Sequence, residues 1–149
     1  MRFMIIGIDI GGSTTDAVLL YDGELVVVTI ETGDPLAAAA GALGKLLSTV
    51  GGALADIQAI AVSGGGARCL KDQLFGVPVV VVPEITAIGV GGSTLAEKSE
   101  ALVVSLGTGT ALVSVRGDKI EHVGGTGVGG GTLLGLARHL LGVTGLDTL

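Results

Sequence analysis

The sequence predicts an α/β protein built on a mixed β-sheet, in which apolar strands alternate with helices. Of its 149 residues, 48% are hydrophobic but only 2% are aromatic, a composition that suits buried parallel strands covered by helices. Charged residues make up only 15%, which excludes a disordered chain. The 28 glycines are clustered between the apolar runs, where tight turns and close ligand approach use them.

The first part of the chain predicts a five-stranded mixed sheet. The first three strands should form an antiparallel meander, and the fourth and fifth should run parallel to the first. Asp34 and Pro35 are typical of the first residues of a helix, and Gly51 of the residue that follows one. The predicted strands are 3–10, 15–20, 25–31, 57–62 and 77–82; the helices are 35–50, a short stretch 67–75, and 84–98.

A second series of elements follows a predicted domain boundary after Lys98. Residues 99–149 show the order βββα, with strands 102–106, 111–115 and 119–123 and a helix 132–141. A shift of 96 residues places Gly107–Thr110 over Gly11–Thr14. The chain is therefore interpreted as two related units, 1–98 and 99–149.

Composition also limits the function. The net charge is −6 and no Lys/Arg cluster is present, which argues against nucleic-acid binding. The single cysteine, Cys69, excludes an internal disulfide and a multi-cysteine metal site. No apolar run approaches the roughly 18 residues that a membrane span needs. A soluble cytoplasmic protein is expected.

Two glycine–threonine turns are candidate phosphate sites. Glycines allow phosphate oxygens to approach backbone N–H groups, and hydroxyls add donors. Asp9, at the end of the first strand, could also hold Mg²⁺. A glycine hairpin with Asp9 as a turn cap remains an alternative. The candidate residues are Asp9, Gly11, Gly12, Ser13, Thr14 and Thr15 in the first turn, and Gly107, Thr108, Gly109 and Thr110 in the second.

Two further features carry alternative interpretations. The glycine-rich segment 124–131 leads into a helix, whose N-terminus is a candidate anion site, unless the glycines serve close helix packing. Glu84 follows a valine-rich strand, where a ligand-facing general base could stand. On chemistry alone, a first-turn glutamate favoured by the helix dipole is the preferred interpretation.

These segments occur in the order found in type II pantothenate kinases, and Gly124–Gly142 resembles that family most. The resemblance implies an RNase H-like fold of the actin-like ATPase superfamily, with ATP between two domains. It also implies that Glu84 is the catalytic base, that the two turns hold ATP phosphates and Mg²⁺, and that the protein is a homodimer. It assigns substrate binding to Gly64, Gly65, His122, Gly124, Gly125, Thr126, Gly129 and Gly130.

Three departures from the family pattern stand out. Asp16 occupies a position where these kinases often carry lysine, and His122 one where they usually carry arginine. The resemblance also implies that the second domain is incomplete at Leu149. The predicted function is ATP-dependent phosphorylation of pantothenate, a step of coenzyme A biosynthesis.

Two alternatives to kinase activity remain open. The first is a non-kinase ATPase of the same superfamily, either an activator or reactivating factor or a relative of the hydantoinases and oxoprolinases, whose N-termini Gly11–Leu19 also resembles. The second is a catalytically inactive folding unit.

Overall fold

The computed structural model describes residues 4–21 and 23–142, which form nine strands and three α-helices. None of these helices is both long and apolar enough to cross a membrane. The elements are β1 Met4–Ile10, β2 Thr14–Tyr21, β3 Glu24–Glu31, α1 Pro35–Val50, β4 Ile57–Ser63, β5 Gln73–Leu74, β6 Val77–Val81, α2 Glu84–Ala96, β7 Glu100–Leu106, β8 Thr110–Arg116, β9 Lys119–Thr126 and α3 Gly130–Leu141.

The chain divides into two compact units after Glu84. Helix α2 therefore goes with the second unit, where its glycines lie against that unit's sheet. A side chain at Gly89 would meet Ile120, and one at Gly92 would meet Val103. The domain boundary expected after Lys98 stays a prediction, because a compact unit of a structure need not coincide with an ancestral domain.

The sheet of the first unit has the order β3-β2-β1-β4-β6-β5. β1, β2 and β3 form the predicted antiparallel meander, and β1, β4 and β6 are parallel neighbours. Tyr21 pairs with Glu24 across the predicted two-residue turn; Asp22 of that turn and Phe3 of the first predicted strand lie outside the described residues.

The prediction of five strands was wrong by one, because β5 is a sixth. Residues 67–75, expected to be helical, form one 3₁₀ turn at Ala67–Cys69 and then this short strand. β5 pairs antiparallel with β6 across Phe75 and Gly76, which both have positive φ. A two-residue strand has too few residues for a periodic signal, and it exists only because β6 offers a pairing edge.

The core of the first unit lies between the sheet and α1. Alternation along β1 buries Ile6, Ile8 and Ile10, each at most 2% exposed, on the face that α1 covers. Helix α1 has the predicted ends: Asp34 Oδ1 accepts a hydrogen bond from Ala37 N at 2.8 Å, and Gly51 adopts the left-handed conformation with φ 62°. The same alternation leaves Asp9 on the opposite face of the strand.

The second unit contains the predicted βββα order, with an antiparallel sheet β7-β8-β9. Strand β9 is longer than expected: 124–126, predicted as loop, pair with β8 beyond an irregularity in the register at Leu112 and Val113. Helix α3 begins at Gly130, two residues before the predicted Thr132, because the glycine-rich segment can follow helical geometry from its second half onward.

Candidate functional site

The first candidate site lies at the carboxyl ends of β1, β4 and β6. Parallel strands end at the same edge of a sheet, which is where open α/β sheets bind ligands. Asp9 of β1 is the register partner of Ser63 of β4. Val82 N donates to Val62 O at 2.8 Å, so the exposed Glu84 follows β6 at this same edge. Asp9 and Glu84, which are 75 residues apart in sequence, therefore lie at the same edge of the sheet.

The first glycine–threonine turn connects β1 to β2 at this edge. Gly11 N donates to Thr14 O at 2.9 Å and closes the turn, and Thr32 N donates to Ser13 O at 2.9 Å. Gly12, Ser13 and Thr14 are exposed. Thr15 differs from them: it is fully buried, and its hydroxyl forms a 2.8 Å hydrogen bond with that of Thr32. Thr15 is therefore buried and hydrogen-bonded inside the fold, whereas Gly12, Ser13 and Thr14 lie at the surface.

A second turn, Gly64–Gly66, lies directly against the end of β1. Gly66 N donates to Ile10 O at 3.0 Å. Gly64 has φ 85°, and a Cβ there would meet Asp9 Oδ1 at 2.7 Å. Gly64 is therefore required by the fold, whereas a Cβ at the exposed Gly65 would meet nothing within 4 Å.

Asp9 is electrostatically strained. Burial of its carboxyl group raises the pKa above the ordinary value of 3.8, hydrogen bonding by the Ser63 side chain lowers it, and the charge of Asp16 raises it. Asp9 as a whole residue remains exposed, so the burial is that of the carboxyl group against the Gly64 turn. A cation bound beside Asp9 would relieve this strain, since it favours the charged form.

Asp16 is the register partner of Asp9 on β2. Its carboxylate accepts hydrogen bonds from two threonine hydroxyls, that of Thr29 on β3 and, at 3.5 Å, that of Thr14. Directly opposed residues of an antiparallel pair share a face, so two carboxylates lie beside each other here. A phosphate group at this edge would therefore meet negative charge.

The second candidate site, in the second unit, joins the Gly107–Thr110 turn to the glycine-rich segment. Gly131 N donates to Gly107 O at 3.1 Å, and Thr132 N donates to Thr108 O at 3.2 Å. Two of the first N–H groups of α3 are therefore used by carbonyls of the turn. An anion at the helix N-terminus would compete with these bonds, which favours the packing interpretation of the segment.

The glycines of the predicted sites fall into two classes. At some, a side chain would strike the protein's own backbone: at Gly109 a Cβ would lie 2.9 Å from Thr126 O, and at the buried Gly129 it would overlap Gly109 O. At others it would meet nothing within 4 Å, as at Gly107. The first class is Gly11, Gly64, Gly109, Gly125 and Gly129, and the second class is Gly65, Gly107 and Gly127; at Gly66 a Cβ would strike the Ile10 side chain instead.

The remaining substrate-binding candidates lie on or just after β9. His122 is exposed and pairs with Val113, and its Nε2 lies 3.4 Å from the Cβ position of Gly125. Thr126 Oγ1 accepts a hydrogen bond from Val128 N at 3.3 Å. A Cβ at Gly124 would lie 3.4 Å from Leu112 Cδ1, and one at Gly130 would lie 3.8 Å from Gly107 O, an ordinary contact distance.

Each unit thus brings together its own part of the predicted site. The two glycine–threonine turns belong to different units, so their facing each other across a cleft stays a prediction. Residues 4–21 and 23–142 contain no group of three or more His, Cys, Asp or Glu side chains that could hold a metal ion. Ser63 and Thr132 were not predicted as site residues, although each directly adjoins a glycine run of the predicted sites.

Comparisons with known proteins identify the relatives of this chain. The Fumble family model matches residues 96–149. A type II pantothenate kinase of Bacillus anthracis is 34% identical over 94 residues, which cover 58% of this chain and 34% of that protein. The resemblance to type II pantothenate kinases is confirmed. The chain spans about a third of the length of the curated relatives it matches.

Solved structures establish the fold. The activator of 2-hydroxyisocaproyl-CoA dehydratase from Clostridium difficile, with bound ADPNP, has a TM-score of 0.72 at 20% identity, covering 95% of this chain and 53% of that one. A ROK family glucokinase from Streptomyces griseus, in complex with glucose and AMPPNP, has a TM-score of 0.61 at 19% identity, covering 83% and 47%. The chain shares the α/β fold of these proteins, and its fold class is as predicted.

The two glycine classes predict opposite effects of alanine in the second turn. Gly109→Ala should lower the free energy of unfolding by about 1–3 kcal/mol, because its Cβ is forced against the Thr126 carbonyl. Gly107→Ala should change it by less than about 0.5 kcal/mol, because the space around Gly107 is open. Urea denaturation measures both. Equal losses in the two variants would contradict this division.

The raised pKa of Asp9 predicts a pH-dependent stability. The folded protein binds this proton more tightly than the unfolded chain, so stability falls as the pH rises from the ordinary aspartate value through the raised one. Asp9→Asn should therefore increase the free energy of unfolding at neutral pH, and the gain should vanish below the ordinary value. Urea denaturation across this range measures it, with the exposed Glu24→Gln as control. A loss of stability at neutral pH would refute the assignment.

Proposed function

We propose that the chain carries the phosphate-binding and base-bearing part of an ATP-dependent phosphotransferase of the pantothenate kinase type. The acceptor would be the primary hydroxyl of pantothenate, and the product 4′-phosphopantothenate, an intermediate of coenzyme A biosynthesis. Similarity to the type II pantothenate kinases supports the substrate. The observation that carries the proposal is the open space at Gly65 and Gly107. At these two turn glycines a side chain would meet no neighbouring atom, and the backbone conformation does not demand glycine.

The residues present fit a magnesium–nucleotide complex. Mg²⁺ is typically bound through one or two carboxylates together with substrate phosphates, rather than by a full cage of protein ligands. Asp9, a strained carboxylate beside the first turn, suits this role. Bound there, the metal would neutralise phosphate charge next to the Asp9–Asp16 pair. The exposed turn residues Gly12, Ser13 and Thr14 offer donors to the phosphate oxygens.

Glu84 is the proposed general base. Its position beyond β6 at the Asp9 edge matches the place where this fold class binds ligands. Glu84 would take the proton of the acceptor hydroxyl as the hydroxyl oxygen forms a bond to the γ-phosphorus of ATP. The bond from that phosphorus to the bridging oxygen breaks, and ADP leaves. Such transfer depends mainly on positioning and charge neutralisation, which the two turns would supply.

We further propose that the protein is a homodimer in the cytoplasm, with α3 in the interface. Leu133, Leu136 and Leu140 of this helix are 58%, 50% and 71% exposed. Leucines exposed in this number on one helix favour association. Light scattering at tens of micromolar should show a dimer, and Leu136→Glu together with Leu140→Glu should convert it to a monomer. A wild-type monomer would refute the dimer without bearing on phosphotransfer.

The roles of Asp9 and Glu84 can be separated by two substitutions. Asp9→Ala should weaken Mg-ATP binding, measured by calorimetry, because it removes the metal ligand. Glu84→Gln should leave binding within about twofold but lower phosphorylation of pantothenate by a factor of 10² or more, because it keeps the shape and removes the base. Turnover is measured both in the chain itself and in a chain extended with the C-terminal part of a relative.

The outcomes discriminate among the functions. Absence of pantothenate phosphorylation in the extended chain would refute the kinase proposal. ATP hydrolysis that does not depend on an acceptor would instead support a non-kinase ATPase. Glu84→Gln with wild-type turnover would remove Glu84 from the mechanism and leave the phosphate-binding role of Asp9 intact.

A further inference from the structure

Threonine hydroxyls hold the glycine-rich segment onto the Gly107–Thr110 turn. Thr110 Oγ1 donates to Val128 O at 2.8 Å. Thr132 Oγ1 is within hydrogen-bonding distance of two carbonyl oxygens, that of Thr108 in the turn and, at 2.9 Å, that of Gly127 in the segment. These bonds join parts of the chain that are 18 and 24 residues apart, so they are tertiary contacts and not features of a local turn.

Thr132 is distinct among these threonines because it contacts the carbonyl of Thr108 in two ways. Its backbone N–H donates to that oxygen at 3.2 Å, and its side-chain hydroxyl bonds to the same atom. The neighbouring Gly131 N–H donates to Gly107 O at 3.1 Å. Two successive carbonyls of the turn are therefore directed at the start of α3.

The direction of these carbonyls fixes the direction of the adjoining amides. In a planar trans peptide the C=O and the following N–H point to opposite sides, and the described residues contain no cis peptide bond. The carbonyl of Gly107 shares its peptide with Thr108 N–H, and the carbonyl of Thr108 shares its peptide with Gly109 N–H. Both N–H groups therefore point away from the start of α3, and a Cβ at Gly107 would meet nothing within 4 Å.

We propose that Thr132 is a positioning residue whose hydroxyl orients the Gly109 amide for phosphate binding and couples the glycine-rich segment to the turn. The proposal rests on the phosphate-binding role of this turn in the proposed function. Thr132 contacts no phosphate itself. It acts through the Thr108 carbonyl. Binding of a ligand beside the glycine-rich segment would therefore alter the conformation of the turn through this one side chain.

A pair of matched variants tests the hydroxyl. Thr132→Val keeps the shape and removes the hydroxyl, whereas Thr132→Ser keeps the hydroxyl and removes the methyl group. Loss of one hydrogen bond predicts about a five- to tenfold weaker binding of Mg-ADPNP by Thr132→Val, and Thr132→Ser should stay within about twofold of wild type. Calorimetry on the full chain measures binding, and urea denaturation shows whether each variant is folded.

A second measurement does not depend on nucleotide. In nitrogen-labelled protein without ligand, Thr132→Val should shift the amide resonance of Gly109 and speed its hydrogen exchange. Thr132→Ser should leave this amide close to wild type. Thr49→Val, which removes a hydroxyl that donates to Lys45 O in the first unit, serves as control and should leave the Gly109 amide unchanged. If Thr132→Val does not fold, Thr132→Ala removes the same hydroxyl and takes its place.

The outcomes separate this proposal from the proposed function. If wild type does not bind Mg-ADPNP, the phosphate-binding role fails, and the amide measurement alone decides whether Thr132 orients the turn. An unmoved Gly109 amide in Thr132→Val would overturn the proposal. So would equal losses of affinity in Thr132→Val and Thr132→Ser, because the methyl group and not the hydroxyl would then be responsible.

Discussion

The first unit depends on the pairing of β1 along both of its edges, antiparallel to β2 and parallel to β4. A strand held on both sides must present alternate residues to opposite faces. One face carries Ile6, Ile8 and Ile10 into the core beneath α1, so the other must carry Asp9. The carboxylate is therefore placed at the carboxyl end of the strand, on the face opposite the core, by the same alternation that builds the core.

The two meanders share turn chemistry but differ in how they bury their strands. In the first meander, Ile10 pairs with Thr15. In the second, Leu106, which the 96-residue shift places over Ile10, pairs with Thr110, one residue earlier than that shift would give. A change of one residue exchanges the faces of a whole strand. In the first meander, buried Leu19 of β2 lies on the same face as the buried isoleucines of β1. In the second meander, buried Val113 of β8 pairs with Val103, on the face that α2 covers.

The sequence allowed prediction of features whose cause is local. Asp34 as helix cap and the meander follow from capping chemistry, apolar runs and turn residues that lie within a few positions of each other. The position of Asp9 at a strand end follows in the same way. These features require no knowledge of what approaches from elsewhere in the chain.

The features that escaped prediction are set by tertiary contacts. The strand β5 is defined by the edge of β6, and the two glycine classes by atoms as far away as Thr126 O and Ile10 O. The sequence cannot distinguish a glycine that leaves room for a ligand from one that leaves room for a neighbouring carbonyl group. Asp16 gave a signal of its own, a carboxylate where a basic residue was expected, but its threonine partners on the neighbouring strands required coordinates.

The division of the chain after Glu84 has a consequence for synthesis on the ribosome. Every residue of the main core cluster lies between Met4 and Val79, so the first unit has its complete core once that part of the chain has emerged. Translation of residues 85–149 takes on the order of several seconds at typical rates, and small mixed domains fold in milliseconds to seconds. The sheet that carries Asp9 can thus form cotranslationally, before the Gly107–Thr110 turn has left the exit tunnel.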